Sequence, residues 1–225
     1  MGGNMEFYRH VIWDWNGTLL NDARLSLDVY NSIAADFGLE SVGLAQYRDE
    51  FGFPVIDFYK RHGFDFDKID FREVGRVFIE RYLARLDACP LHDGARDILR
   101  QLQSLGFTQS VLSANNDKLL KRAVERFGLS EFFTRVDGLS DIYANSKTEL
   151  AKAHIAALSD ELALAPRDAI MAGDTLHDED AACAMNIDCA LIARGHNSAK
   201  KLAEAKGAAV FDSHQKFFNF LAHCM

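Results

Sequence analysis

The stretch His10-Val11-Ile12-Trp13-Asp14-Trp15-Asn16-Gly17-Thr18-Leu19-Leu20 decides how the chain is interpreted. A short apolar run ends in an aspartate, which is followed by an Asn-Gly turn and a threonine. This pattern predicts a buried strand that delivers the Asp14 carboxylate to a loop at the strand's carboxyl end. In open parallel sheets the ligand crevice lies outside such strand ends. We therefore expect Asp14 to belong to a functional site.

The chain from Leu91 onward alternates between apolar strands and amphipathic helices. One of these helices carries Ile98, Leu99 and Leu102 on one face and ends at Gly106. Strands that alternate with helices predict an α/β fold, with a doubly wound parallel sheet covered on both faces. Besides the strand before Asp14, the predicted strands are 108–112, 135–139, 169–172, 189–193 and 208–211.

Residues 22–88 show helical periodicity and no convincing strand. Leu25, Val29, Ile33 and Phe37 recur at four-residue spacing, which is typical of one face of a helix. An all-helical block between the first strand and the later alternation indicates an insertion. We predict a Rossmann-like core formed by residues 1–21 and 89–225, and an inserted helical cap formed by residues 22–88.

Composition narrows the class of protein. The 225 residues carry a formal net charge of −8, and a nucleic-acid-binding surface would favour a basic face. No run of 18 apolar residues and no signal-peptide pattern is found, so we expect no membrane span. Four scattered cysteines without a CxxC pair predict neither a zinc site nor a disulfide framework, and we expect a cytoplasmic protein. The sequence does not indicate an oligomeric state.

Acidic side chains follow two of the predicted strands. Asp14 ends the first strand, and Asp174 follows the strand at 169–172, with Asp178 four residues further on. The carboxyl ends of parallel strands converge on one crevice, so we expect these acids to lie together. Carboxylate oxygens are the ligands that Mg²⁺ prefers. The pattern therefore predicts a magnesium site.

Groups suited to a phosphate are expected at the same edge. Ser113 follows a strand and Lys147 opens a helix, so they offer a hydroxyl donor and a positive charge. Backbone N–H groups at Gly17 and at Ala114-Asn115 add an anion-binding nest. The hypothesis that follows is a metal-assisted phosphoryl transfer onto an aspartate.

These segments together resemble the haloacid dehalogenase-like phosphatases. The stretch Asp14 to Asp22 is similar to that family's D-x-D-G-T-L-x-D motif, Ser113 to its second motif and Lys147 to its third. Gly173-Asp174 with Asp178 is similar to the fourth motif, G-D-x-x-x-D. The cap position and the segment Leu91 to Gly94 resemble the phosphoglycolate-phosphatase branch. The resemblance spans nearly the whole chain.

The resemblance implies a role for each of these residues. Asp14 would be the nucleophile, and Mg²⁺ would be held by Asp14, Asp174 and the backbone carbonyl of Asn16. Asp178 would orient the metal shell. The groups expected to bind the phosphoryl group of a small phosphorylated substrate are Gly17, Thr18, Ser113, Ala114, Asn115 and Lys147.

Asn16 departs from the family pattern. The family has an aspartate there, which protonates the leaving group and then activates the hydrolytic water. An amide keeps the size and the backbone carbonyl, but it cannot exchange a proton near neutral pH. A general acid–base group contributes about 10²–10⁴-fold to the rate. We therefore predict an intact metal site but an altered turnover.

Three functions remain open at this stage. The first is a magnesium-dependent phosphatase acting on a small phosphorylated metabolite, with Asp14, Asn16 and Lys147 in the catalytic group. The second is a phosphonatase-like enzyme, which would need a cap lysine near Gly52 to form a Schiff base. The cap lysines are Lys60 and Lys68, and neither lies near Gly52, so this function is not favoured. The third is a catalytically weak domain that binds a phosphorylated ligand or a partner protein.

Overall fold

The computed structural model describes residues 8–139 and 147–224. Within these residues a six-stranded parallel sheet has the order β3-β2-β1-β4-β5-β6. Its strands are β1 (His10–Trp13), β2 (Thr108–Asn116), β3 (Arg135–Leu139), β4 (Ala169–Gly173), β5 (Asp188–Ile192) and β6 (Ala209–Phe211).

Strand β1 lies at the centre of the sheet. Its Trp13 pairs with Val111 of β2 on one side and with Ala172 of β4 on the other. All four β1 residues are buried, as expected for a strand covered on both faces. The residues that follow β1, β2 and β4 consequently emerge at one edge of the sheet.

Ten α-helices are found in the described part of the chain. They are α1 (Ala23–Asp36), α2 (Leu44–Glu50), α3 (Val55–Arg61), α4 (Phe71–Leu86), α5 (Ala95–Ser104), α6 (Asp117–Arg126), α7 (Lys147–Leu162), α8 (Leu176–Met185), α9 (Ala199–Leu202) and α10 (His214–His223). None of the helices in these described segments has the length and apolar character needed to cross a bilayer.

Apolar side chains cover both faces of the sheet. Leu99 of α5, Leu120 of α6 and Phe217 of α10 belong to one cluster with Trp13. Side chains of α7, α8 and α9 form the cluster on the other face, around Ile12. The prediction of a doubly wound α/β fold is confirmed.

Helices α1 to α4 share a third apolar cluster, which is rich in aromatic rings. Tyr30 is fully buried there, with its ring centroid 5.0 Å from those of Phe58 and Tyr59. A separate cluster supports the division into a core (1–21 and 89–225) and a helical cap (22–88), which remains our proposal. We use "cap" below for residues 22–88.

The structure differs from the sequence predictions at two places near the site. Strand β2 continues past Leu112 to Asn116, with a register irregularity over the added residues. Helix α2 was not predicted, because only Tyr47 of its seven residues is buried and no apolar face shows in the sequence. Both elements carry residues of the candidate site.

Candidate active site

Three buried aspartates meet at the carboxyl edge of the sheet. Asp14 follows β1, Asp174 follows β4, and Asp178 lies in the first turn of α8. Each offers a carboxylate oxygen, and these oxygens lie within 4.8 Å of one another. Buried like charges at this separation repel strongly unless a cation joins them. The donor set of hard oxygen atoms fits Mg²⁺.

Lys147 is the first residue of α7 and lies between two of these acids. Its Nζ is 2.5 Å from Oδ1 of Asp14 and 2.5 Å from Oδ1 of Asp178. The lysine side chain is only 4% exposed, so solvent screens these contacts little. The preceding residue, Ser146, was expected to open this helix and lies outside the described residues.

The buried charges shift the acids in different directions. Burial and the charges of Asp178 and Asp174 outweigh the attraction of Lys147 and raise the pKa of Asp14 to about 8. Burial and the Asp178 charge raise the pKa of Asp174 to about 6. Burial by itself would raise the pKa of Asp178. The charge of Lys147 and the hydrogen bonds from Lys147 and Thr175 nevertheless hold this pKa below its ordinary value.

Asp174 and Asp178 are held by hydrogen bonds from their own loops. Oδ2 of Asp178 accepts from the backbone N–H of Thr175 and from its hydroxyl, both at 2.9 Å. Asp174 accepts from the Thr18 hydroxyl at 2.8 Å and from the backbone N–H of His196 at 2.6 Å. Thr18 was assigned to phosphate binding, and in this structure its hydroxyl donates to Asp174, one of the three acids that could hold a metal ion.

Two glycines allow the loops to approach Asp174. Gly17 has φ +78°, and a Cβ there would collide with the Asp174 carboxylate and the His196 ring. A Cβ on Gly195 would collide with the same carboxylate. Two buried histidines contact the carbonyl groups of this loop. Nε2 of His92 lies 2.9 Å from the carbonyl oxygen of Gly17, and Nε2 of His214 lies 2.7 Å from that of Thr18.

The residues assigned to phosphate binding at the end of β2 lie at the same edge. Ser113 is buried, and its hydroxyl accepts from the backbone N–H of Asn115 at 3.3 Å. Ala114 is exposed. The Asn115 amide donates to Oδ1 of Asn16 at 3.2 Å, which joins the loops after β1 and β2.

Asn16 is oriented by three hydrogen bonds. Its Nδ2 donates to Oδ2 of Asp22 and to the Tyr82 hydroxyl, both at 2.8 Å. Its Oδ1 accepts from Asn115. Asp22 and Tyr82 were not assigned any role from the sequence.

A buried ion pair completes this part of the site. Nε2 of His196 lies 3.3 Å from Oδ1 of Asp22, and the Tyr47 hydroxyl lies 2.7 Å from Nδ1 of the same ring. Burial alone would lower the pKa of His196, but the charges of Asp22 and Asp174 raise it to about 9. Tyr82 lies on an apolar helical face whose spacing gave no sign of a contact with the site, and the helix that carries Tyr47 was not predicted. The position of His196 after a strand was the one signal in the sequence that it could line this crevice.

The cap contacts the core along one seam. Arg48 donates to the carbonyls of Gly195 at 2.8 Å and Arg194 at 3.0 Å. The Phe53 ring stacks on His177 with 4.5 Å between centroids. Lys60 and Arg61, for which the sequence leaves open a position facing the active site or one on the surface, are both exposed.

A buried polar chain ties α7 to the sheet. Ser110 Oγ lies 2.8 Å from Nε2 of both His10 and His154, and Nδ1 of His154 lies 2.8 Å from Asp137. The order Ser-His-Asp is that of a hydrolytic triad. Ser110 is 0% exposed, so no substrate reaches its hydroxyl, and the chain anchors the helix that begins at Lys147.

Comparison with known proteins agrees with this geometry. The family profile of the haloacid dehalogenase-like hydrolases matches residues 11–192. The chain belongs to this family. It is 23% identical over 211 residues to phosphoglycolate phosphatase 1 of Pseudomonas aeruginosa, with 91% of this chain and 76% of the relative covered. It is 24% identical to the phosphoglycolate phosphatase of Chromobacterium violaceum, with coverages of 87% and 89%.

Solved structures of this haloacid dehalogenase-like fold align over almost the full chain. A predicted phosphatase from Clostridium acetobutylicum aligns with a TM-score of 0.74 at 23% identity, covering 96% of this chain and 99% of that one. Protein tyrosine kinase A of Mycobacterium tuberculosis aligns with a TM-score of 0.77 at 23% identity over the same shares. The prediction of a haloacid dehalogenase-like phosphatase of the phosphoglycolate-phosphatase-like branch is confirmed.

Proposed function

We propose that this chain is a Mg²⁺-dependent phosphohydrolase that acts on a small phosphorylated metabolite through a phospho-aspartate on Asp14. The observation that carries the proposal is the buried cluster in which Lys147 contacts Asp14 and Asp178 while Asp174 lies beside them. Three carboxylates and one ammonium group leave a net negative charge, which a divalent cation would balance before an anionic phosphate group binds.

The residues present fit the metal and the phosphoryl group. Asp14, Asp174 and the backbone carbonyl of Asn16 would hold Mg²⁺, with Asp178 orienting its shell. When bound, Mg²⁺ neutralises charge on the phosphoryl oxygens. The groups proposed for the phosphoryl oxygens are Ser113, Lys147 and the backbone N–H groups of Ala114 and Asn115. The backbone N–H of Gly17, which the sequence assigned to the same role, donates to Oδ1 of Asp22 at 2.7 Å in this structure.

The reaction proceeds in two displacements on phosphorus. A carboxylate oxygen of Asp14 forms a bond to phosphorus while the bond to the leaving-group oxygen breaks, and the leaving group departs with the electron pair. Water then attacks the phosphorus of phospho-Asp14, which releases phosphate and regenerates the Asp14 carboxylate. The Lys147 ammonium favours the ionised form of Asp14 that the first step needs, and a bound divalent cation would supply the rest of the charge that offsets burial of this carboxylate.

Asn16 narrows the substrate class. Its amide has no proton to transfer to a leaving oxygen, so substrates whose leaving group is a weak base should react faster. Acyl and aryl phosphates meet this condition better than alkyl phosphates. Phosphoglycolate is the first alkyl candidate, because the relatives from Pseudomonas aeruginosa and Chromobacterium violaceum are phosphoglycolate phosphatases.

A panel of phosphorylated metabolites with and without Mg²⁺ tests the proposal, with phosphate release as the readout. We expect turnover that depends on Mg²⁺ and that is lost in the variant Asp14→Asn. The circular dichroism spectrum and the thermal unfolding of this variant should remain those of a folded protein. Beryllofluoride, which mimics a phosphorylated aspartate, should stabilise the wild type and not this variant. Phosphate-analogue binding without turnover on any substrate would instead favour a catalytically weak domain that binds a phosphorylated ligand.

A further inference from the structure

Asn16 lies two residues after the proposed nucleophile, and hydrogen bonds to neighbouring side chains fix the orientation of its amide group. Nδ2 donates both of its protons, one to Asp22 and one to the Tyr82 hydroxyl, each at 2.8 Å. Oδ1 accepts from Asn115 at 3.2 Å. No rotation of the amide about its terminal bond would preserve these contacts.

Asp22 is the acceptor around which these contacts are arranged. It is 1% exposed and accepts from the backbone N–H of Gly17 at 2.7 Å and from the Tyr82 hydroxyl at 2.6 Å. Oδ2 also accepts from Asn16, and Nε2 of His196 lies 3.3 Å from Oδ1. A buried carboxylate with four donors is well satisfied, and it requires a donor at position 16.

A carboxylate at position 16 would reverse this contact. An oxygen in the place of Nδ2 would face Oδ2 of Asp22 at about 2.8 Å with no donor proton between them. Repulsion between two charged oxygens at that distance is large, because the Asp22 carboxylate is only 1% exposed and solvent screens it little. The amide at position 16 and the carboxylate at position 22 therefore complement each other.

Asn16 and Asp22 are also contacted by side chains of the cap helices. Tyr82 of α4 reaches both members of the pair. Tyr47 of α2 reaches His196, which in turn contacts Asp22. Helix α1 begins at Ala23, directly after Asp22. The loop after β1, the start of α1 and Tyr82 of α4 thus meet at the Asp22 carboxylate, and α2 reaches it only through His196.

We propose that Asp22 is a positioning residue that makes asparagine necessary at position 16: it orients the Asn16 amide, two residues after Asp14, and joins this loop to helix α4 through the Tyr82 hydroxyl. The structural part of this inference is independent of the reaction, and its catalytic part rests on the proposed function. An exchange of the two groups tests both parts. Asn16→Asp with Asp22→Asn keeps one amide and one carboxylate in contact and leaves the net charge unchanged.

Thermal unfolding of the four proteins in this cycle measures the coupling. Each single variant should lower Tm by about 5–10 °C, because each loses a charged hydrogen bond in a buried place. The double variant should regain at least half of the combined loss. Additive losses in the double variant, or a single Asn16→Asp that unfolds like the wild type, would overturn the inference. Tyr82→Phe removes only one hydroxyl and gives a milder variant if a single exchange fails to fold.

Kinetics separates positioning from a purely structural role. Tyr82→Phe should lower kcat by about tenfold, because a misplaced group near the reacting atoms costs rate, while the affinity for beryllofluoride changes less than about twofold. Asp28→Asn is the control, since Asp28 lies in α1 and pairs with Arg24 and Arg85 at the surface. Equal changes in kcat and in beryllofluoride affinity would contradict positioning. If the wild type shows no turnover, the proposed function fails, whereas the Tm cycle still decides the pairing.

Discussion

Nζ of Lys147 lies 2.5 Å from Oδ1 of Asp14, although 133 positions separate the two residues in the chain. Their side chains are 4% and 8% exposed, so water screens the attraction little. The lysine both holds the carboxylate in place and balances its charge. This contact brings the proposed nucleophile, Asp14, within hydrogen-bond distance of the proposed phosphate-binding cation, Lys147.

The first prediction concerns this contact. Lys147→Met should lower the free energy of unfolding by about 3–5 kcal/mol, because two buried carboxylates lose their cation. Urea unfolding measures the loss. Lys152→Met is the matched control, since Lys152 lies in the same helix and forms an exposed pair with Glu149. We expect a change of about 0.5 kcal/mol or less there, and equal losses in the two variants would contradict a special role for Lys147.

The second prediction concerns pH and metal. The pKa of Asp14 rises to about 8, that of Asp174 to about 6 and that of His196 to about 9 in the folded protein. Each group then binds its proton more tightly when folded, so its contribution to stability falls as pH rises towards these values. Without a divalent cation, Tm should fall between about pH 7 and about pH 9, where folded Asp14 and His196 release their protons. Below about pH 7 the buried rings of His10 and His92, whose pKa values are lowered to about 3 and about 4, oppose this slope, because the unfolded chain binds their protons more tightly.

Saturating Mg²⁺ should flatten this profile, because the cation stabilises the ionised forms of Asp14 and Asp174. The Asp22 and Asp178 carboxyls have lowered pKa values, so their stabilisation is complete above the usual aspartate range and does not oppose the slope. Scanning calorimetry across pH, with Mg²⁺ or with a chelator, measures both curves. A Mg²⁺-induced shift in Tm that is the same in Asp174→Ala would show that the metal binds elsewhere.

The third prediction uses the close packing at Gly195. A methyl group there would collide with the Asp174 carboxylate, so Gly195→Ala should weaken Mg²⁺ binding at least about tenfold by displacing one ligand. Gly75→Ala is the control, because Gly75 lies within α4 and a Cβ there meets no atom within 4 Å. Calorimetric titration of Mg²⁺ into both variants distinguishes them. Unchanged affinity in Gly195→Ala would mean that Asp174 is not a ligand.

The fourth prediction concerns the leaving group. The wild type should hydrolyse aryl and acyl phosphates faster than alkyl phosphates, since Asn16 supplies no proton. The double variant Asn16→Asp with Asp22→Asn restores a carboxylate at position 16, and it should raise alkyl-phosphate turnover by about 10²–10⁴-fold. Sequence reasoning would use Asn16→Asp alone, but the contact with Asp22 makes that variant unsuitable.

Rates should be measured on protein whose peptide mass map shows intact Asn16, because an Asn-Gly pair deamidates and would supply an aspartate. Brisk alkyl-phosphate hydrolysis by the intact wild type, with no gain in the double variant, would show that another residue donates the proton. His177, three residues after Asp174, is then the first candidate for the donor, and its ring stacks on Phe53 of the cap.

The central features of the fold follow from local patterns. An apolar run that stops at Asp14 predicted the buried strand β1, and the alternation after Leu91 predicted the parallel sheet. Because parallel strands end at one edge, the sequence also predicted that Asp14 and Asp174 would lie together, and their carboxylates do. Periodicity reports which face of an element is buried, whereas the strand order is a finding of the structure.

Only the tertiary structure decided what surrounds Asn16. Tyr47 and His196 are 149 positions apart, and Tyr82 and Asp22 are 60 apart, yet both pairs are in hydrogen-bond contact. A tyrosine on an apolar helical face has the same pattern whether its hydroxyl meets solvent or a buried carboxylate. The sequence by itself determined where the acids leave the sheet. The hydrogen-bond partners of the buried acids depend on how the cap packs on the core. Local periodicity cannot predict that packing, because it reflects only which face of each helix is buried.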